Sequence, residues 1–131
     1  MIFYVAAKFR WRMVALGIAM KLRVHGHVVT SRWLTGHDGL MTPALQAQYA
    51  QEDFEDINQV EQFVLCQFPC DEPEQSTGRN VEMGYALAKC KPVIIIGKAT
   101  SVFHYLPGVT RIESLYAFYQ IYCPKNPTQG V

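Results

Sequence analysis

Glu82 stands in Ser76-Thr77-Gly78-Arg79-Asn80-Val81-Glu82-Met83-Gly84, where a polar loop gives way to small and apolar residues. Ser76, Thr77 and Gly78 are turn and N-cap residue types, and residues 81–89 read as a helix. A helix start gathers free N–H groups and partial positive charge, which suits a phosphate or a carboxylate. The loop is placed to hold a phosphate while Glu82, about one turn in, faces the same cleft as a nucleophile. The ordinary alternative is a glutamate that complements the helix dipole on a solvated face.

Further carboxylates lie in Gln51-Glu52-Asp53-Phe54-Glu55-Asp56-Ile57. Asp53 and Asp56 are three apart and share roughly one helix face, most simply a solvated acidic one. A carboxylic acid paired with a carboxylate nucleophile is also the recurrent apparatus for cleaving a glycosidic bond. Asp53 and Glu82 meet that need if the fold brings them together.

Other residues could complete such a site. Lys8 and Arg10 follow the first apolar run and can point at a phosphate, Arg10 bidentately. Tyr4, inside that run, is either plain core or a hydroxyl lent to the cleft. Phe9 and Trp33 can stack on a nucleobase or fill a core. His104 and Tyr105 occupy a loop, as pocket residues or the edge of a dimer contact. His25, His27 and His37 show no metal-ligand spacing, and no P-loop, GxGxxG or hydrolase elbow is present.

These residues need a scaffold, and the hydrophobic pattern supplies one. Short apolar runs at 2–7, 27–30 (continuing toward 34), 63–68, 92–97 and 109–113 read as strands. Helices are expected at 11–24, ended by Gly26, then at 44–59, 81–89 and 114–122. Loops are expected at 35–43 and 69–78. Strands alternate with helices, and the central strands are continuously apolar, as when both faces are covered. The expectation is an α/β three-layer sandwich with a roughly five-stranded parallel sheet, flavodoxin- or Rossmann-like. Residues 1–122 form one domain and 123–131 a C-terminal tail. Ligands in such sheets bind at the carboxyl ends of the strands.

Composition narrows the partners. With 131 residues, half of them hydrophobic, the chain can bury a core. A net charge of +1 argues against binding a nucleic acid polymer. No apolar run is long enough to span a bilayer. The start lacks the order of a signal peptide, and Cys66, Cys70, Cys90 and Cys123 fit no zinc or redox spacing, so reduced thiols and a cytoplasmic location are expected.

Four segments in order, FYVAAKFR, AQEDFEDI, STGRNVEMGYALAKCKPVIIIG and VFHYLPGV, make residues 2–113 resemble the nucleoside 2-deoxyribosyltransferase-like superfamily. Their motifs are closest to its (2′-deoxy)nucleoside 5′-monophosphate N-glycosidases, a group that includes the CMP N-glycosidases. The resemblance implies that Glu82 is the nucleophile attacking C1′, that Asp53 assists departure of the base, and that Tyr4 places the nucleophile. It implies that Ser76 and Gly78 favour a monophosphate, since transferases acting on free nucleosides carry aspartate at the Ser76 position. Arg10 matches a phosphate-contacting arginine, and Arg79 is a further candidate phosphate ligand. Lys8 stands where serine is more usual. The implied activity is hydrolysis of the N-glycosidic bond, giving base and (deoxy)ribose 5-phosphate. Base exchange by a deoxyribosyltransferase, or nucleotide binding without catalysis, are the rival readings. No metal or redox cofactor is implied. A homodimer is, with a site completed across the interface after the fourth strand, where His104 is the expected contributor. The helix start is expected to keep Glu82 ionised, with Asp53 protonated.

Overall fold

A computed structural model describes residues 1–36, 41–67 and 78–125 of the chain. The strands are β1 (Ile2–Ala6), β2 (Val28–Val29), β3 (Gln62–Cys66), β4 (Val93–Ile96) and β5 (Val109–Ile112). The helices are α1 (Arg12–Val24), α2 (Trp33–Gly36), α3 (Pro43–Asn58), α4 (Gly78–Ala88) and α5 (Leu115–Tyr122). Short 3-10 turns at Phe9–Trp11 and Val102–Tyr105 precede α1 and β5. All strand pairs are parallel, in the order β2-β1-β3-β4-β5. This is the expected α/β three-layer, flavodoxin-like sheet.

Alternation along β1 separates the two faces of the sheet, because successive strand side chains point to opposite sides. Phe3 meets the Phe118 and Tyr122 rings of α5 edge-on. Tyr4 points the other way and stacks on Phe63 of β3 at 5.5 Å, on the side of α3 and α4. Every residue of β3 and β4 is buried, which explains their apolar character apart from Gln62, the first residue of β3. Each fully buried Ile, Leu or Phe contributes about 1.5–3 kcal/mol relative to exposure. Among the described residues no helix is long and apolar enough to cross a membrane.

Several element boundaries differ from the sequence expectation. The second strand is only two residues long and does not run toward Leu34. Beyond it, side chains replace the ladder on β1: Ser31 Oγ accepts the Val5 N–H at 2.8 Å, and the Trp33 indole N–H donates to the Val5 carbonyl at 2.8 Å. With its hydrogen bonds taken this way, the chain turns into α2 at Trp33. Thr35 and Gly36, expected in a loop, are helical. Pro43, also expected in that loop, is the first residue of α3, where its missing N–H costs nothing, and Thr42 caps the helix by accepting the Leu45 N–H at 3.2 Å. Helix α4 begins at Gly78 rather than at Val81.

The strand order changes direction between β1 and β3. From β1 the chain crosses to one side, to β2, and from β3 to the other, to β4. The carboxyl ends of β1 and β3 therefore part around a crevice, the usual ligand position in open α/β sheets.

Candidate active site

Three elements converge on that crevice. Strand β1 brings Tyr4, α3 brings Asp53 and α4 brings Glu82. Asp53, Gly78, Arg79 and Glu82 line a cleft of about 150 Å³ with Ala7, Phe9 and Trp33. An adjoining recess of about 200 Å³ shares Asp53, Gly78 and Glu82 and is otherwise walled by Ala50, Phe54 and Val81. The two carboxyl groups lie where the lobes meet. A larger recess of about 520 Å³ flanks the other side of α4, towards Thr100 and Phe103, and shares only Arg79 with the cleft. Among the described residues no carboxyl group lines it.

The carboxyl groups are far from their ordinary behaviour. Burial first, and the charge of Asp53 second, push Glu82 up to about 8. Burial also raises Asp53 to about 7, with Asp56 as the next cause. The Tyr4 hydroxyl opposes both shifts by favouring the charged carboxylates. Its own pKa is raised well above the usual phenol value, by burial and then by Glu82 and Asp53. The Tyr4 oxygen and Glu82 Oε2 are buried without a well-formed hydrogen bond among the described residues. The hydroxyl faces both carboxyl groups but meets neither at good geometry. The expectation that the helix start keeps Glu82 ionised is not met. Glu82 is the fifth residue of α4, beyond the free N–H groups of the first turn, and there desolvation outweighs the dipole.

The remaining expected residues divide. Gly78 and Arg79 line the cleft, and Arg79 is buried with its guanidinium donating to the Cys66 carbonyl at 3.2 Å. Trp33 lines the cleft and is held by its bond to Val5. Phe9 lines it too, with its ring exposed and the Arg12 guanidinium 5.1 Å from the ring centre. Lys8 and Arg10 are not among the lining residues: Lys8 is buried, and Arg10 is exposed with its guanidinium 5.7 Å from the Trp11 ring centre. Ser76 and Thr77 lie outside the described residues. His104 is turned inward. It is 1% exposed, its Nδ1 accepts the Thr100 N–H at 3.0 Å, and burial and the Arg79 charge hold its pKa below the ordinary value. As placed, it is not offered to a neighbouring subunit.

Sequence reasoning missed Ala50, Phe54 and Val81, the apolar wall of the second recess. Two of them adjoin the catalytic candidates in sequence, and a polar–apolar neighbour pair at each carboxylate is the signal that was present. It also left Asp56 as part of a solvated acidic face. Asp56 is instead buried and clasped by Arg32.

No family model matches the chain, and a comparison with curated proteins finds no match. Among solved structures, the chain is similar to the Clostridium botulinum CMP N-glycosidase BcmB. The TM-score is 0.65, with 19% identity over 92% of this chain and 97% of that one. At that identity the likeness is one of fold.

Proposed function

We propose that the chain is an N-glycosidase that hydrolyses a nucleoside or deoxynucleoside 5′-monophosphate, with Glu82 as nucleophile and Asp53 as acid. The observation that carries this reading is a buried carboxyl pair in one cleft, facing one tyrosine hydroxyl, at the crevice of a parallel sheet. The fold of a CMP N-glycosidase supports it. The monophosphate rests on Ser76 and Gly78 in sequence, and on Arg79, a cation in the cleft wall.

The chemistry follows from the shared environment. The two carboxyl groups titrate as a pair, and the reactive form holds one proton between them. Positive charge developing at C1′ favours ionised Glu82, and negative charge developing on the departing base draws the proton from Asp53. A Glu82 oxygen bonds to C1′ as the C1′–N bond breaks, and the base leaves with that electron pair and the Asp53 proton. Water, deprotonated by Asp53, then attacks C1′ and releases Glu82 and the sugar phosphate. Splitting one substitution into two lowers each barrier. Glu82 is desolvated in advance, so its charge, once formed beside an oxocarbenium-like centre, acts in a site with little water.

The reading includes a homodimer. Supporting it, Val102, Phe103, Tyr105 and Leu106 form an exposed apolar run after β4, a surface of the kind that monomers rarely leave bare.

The test is base release, by chromatography, from a panel of ribo- and deoxyribonucleoside 5′-monophosphates and free nucleosides, beside Glu82→Ala. Release from one or a few monophosphates, lost in the variant, is the expected result. Release that appears only when a free acceptor base is added would make the chain a transferase. Tight binding without release in either case would make it a binding module.

A further inference from the structure

The segment between β2 and α2 is joined, residue by residue, to the elements that carry Tyr4 and Asp53. Thr30 Oγ1 donates to the Asp56 carbonyl at 2.9 Å, and Ser31 and Trp33 bracket Val5, next to Tyr4. Arg32 then closes on α3. Its backbone N–H donates to Asp56 Oδ2 at 3.0 Å, its Nε–H to Asp56 Oδ1 at 2.9 Å, and its Nη2 to Glu55 Oε2 at 3.0 Å. Asp56 is 4% exposed, and a buried carboxylate is tolerated only when paired in this way. It lies one helical turn from Asp53, so the two share a face.

We infer that Asp56, clasped by Arg32, is a positioning residue for the reaction proposed above, fixing where α3 holds Asp53 against Tyr4 and setting the charge beside it. Two roles follow from one ion pair. The first is mechanical: the strut ties α3 to the segment between β2 and α2, which Ser31 and Trp33 in turn join to Val5 of β1, next to Tyr4. The second is electrostatic, because a fixed negative charge one turn away disfavours ionised Asp53 and keeps an acid available near neutrality. Among the described residues, the charged and titratable groups around Asp53 include Glu52 and Asp56 on α3, Tyr4 on β1, Arg32 ahead of α2, and Glu82 and Arg79 on α4. Arg32 tempers the Asp56 charge without cancelling it, since Glu52 and Glu55 share its guanidinium.

The experiment titrates the Asp53 carboxyl by carbon-13 NMR, assigned with Asp53→Asn, in the wild type and in Asp56→Asn, Arg32→Gln and Arg32→Lys. The pH profile of kcat/KM for base release is measured alongside. Asp56→Asn keeps the shape and removes the charge, so the Asp53 pKa should fall by roughly half a unit to one unit. Arg32→Gln leaves Asp56 less neutralised, so the same pKa should rise, and Arg32→Lys should lie between wild type and Arg32→Gln. Opposite shifts from the two halves of one ion pair are what a structural prop alone would not give. Shifts in the same direction, or no fall in Asp56→Asn, overturn the inference. If Arg32→Gln does not fold, the fall in Asp56→Asn decides alone. The titration needs no turnover, so a wild type that releases no base would sink the glycosidase reading and leave this result standing.

Discussion

At the residue scale the decisive property is the proton held by Glu82 and Asp53. Both carboxyls lie well above their ordinary values of 4.5 and 3.8, at about 8 and about 7. Between the ordinary and folded values the folded chain binds more protons than the unfolded one, so stability falls as pH rises across that window. We expect thermal stability to decline from about pH 4 to about pH 8 and then level off with respect to these groups. Glu82→Gln, which cannot ionise, should flatten part of that slope and melt above the wild type at pH 8, while base release is abolished and nucleotide binding is kept. A melting curve series across pH checks the first part, and a slope unchanged in the variant would mean that Glu82 is not the group holding the proton. In the proposed mechanism the singly protonated pair is the active form, so a bell in kcat/KM with its maximum between about 7 and about 8 is expected in a pH–rate series. Glu82 and Asp53 were legible as candidates because carboxylates at a helix start and on a helix face are visible as spacing. Their protonation was not. It depends on burial, and burial sums over neighbours that sequence spacing does not count.

At the element scale two helices end in the same way with different residues. After α1, Gly26 takes φ 87°, and the His27 N–H returns to the Leu22 carbonyl at 3.0 Å. After α4, the Lys91 N–H returns to the Ala86 carbonyl at 2.9 Å around Cys90, which takes φ 58°. Both are Schellman endings, in which glycine avoids the left-handed penalty that a side chain meets. Cys90→Gly should therefore stabilise the protein and Gly26→Ala destabilise it, each by roughly 1 kcal/mol. Denaturant midpoints measure both, and a destabilising Cys90→Gly would show that the thiol contributes more than the backbone loses. Gly26 was readable as a helix stop because its residue type is the signal. Cys90 was readable only as lying near an end, since nothing in its type announces a positive φ. The early end of β2 was likewise hidden, because Ser31 and Trp33 replace backbone pairing through contacts that exist only once β1 is beside them.

At the scale of the whole molecule, the sheet order places the site and the surface after β4 bears on assembly. Val102 is 78% exposed and Phe103 58%, beside the recess that flanks α4. If a second copy covers this run, sedimentation should give twice the chain mass for the wild type and the monomer mass for Phe103→Asp. A wild-type monomer at micromolar concentration would remove the dimer from the proposal. The large recess that Phe103 lines touches the proposed catalytic cleft at Arg79, so loss of the dimer should also lower base release.

The sequence by itself determined the alternation of strands and helices and the parallel sheet, and put forward Glu82 and Asp53 as candidates, because hydrophobic period and residue type are local properties of the chain. Only the tertiary structure decided that Asp53 and Glu82 line one cleft with the buried Tyr4 hydroxyl beside them, that Lys8 and Arg10 are not among the described residues of its wall, and that Asp56 is a buried partner of Arg32 rather than part of a solvated face. Those outcomes turn on which strands lie side by side and how much water they exclude. Desolvation and charge act through space, between residues that the chain keeps far apart.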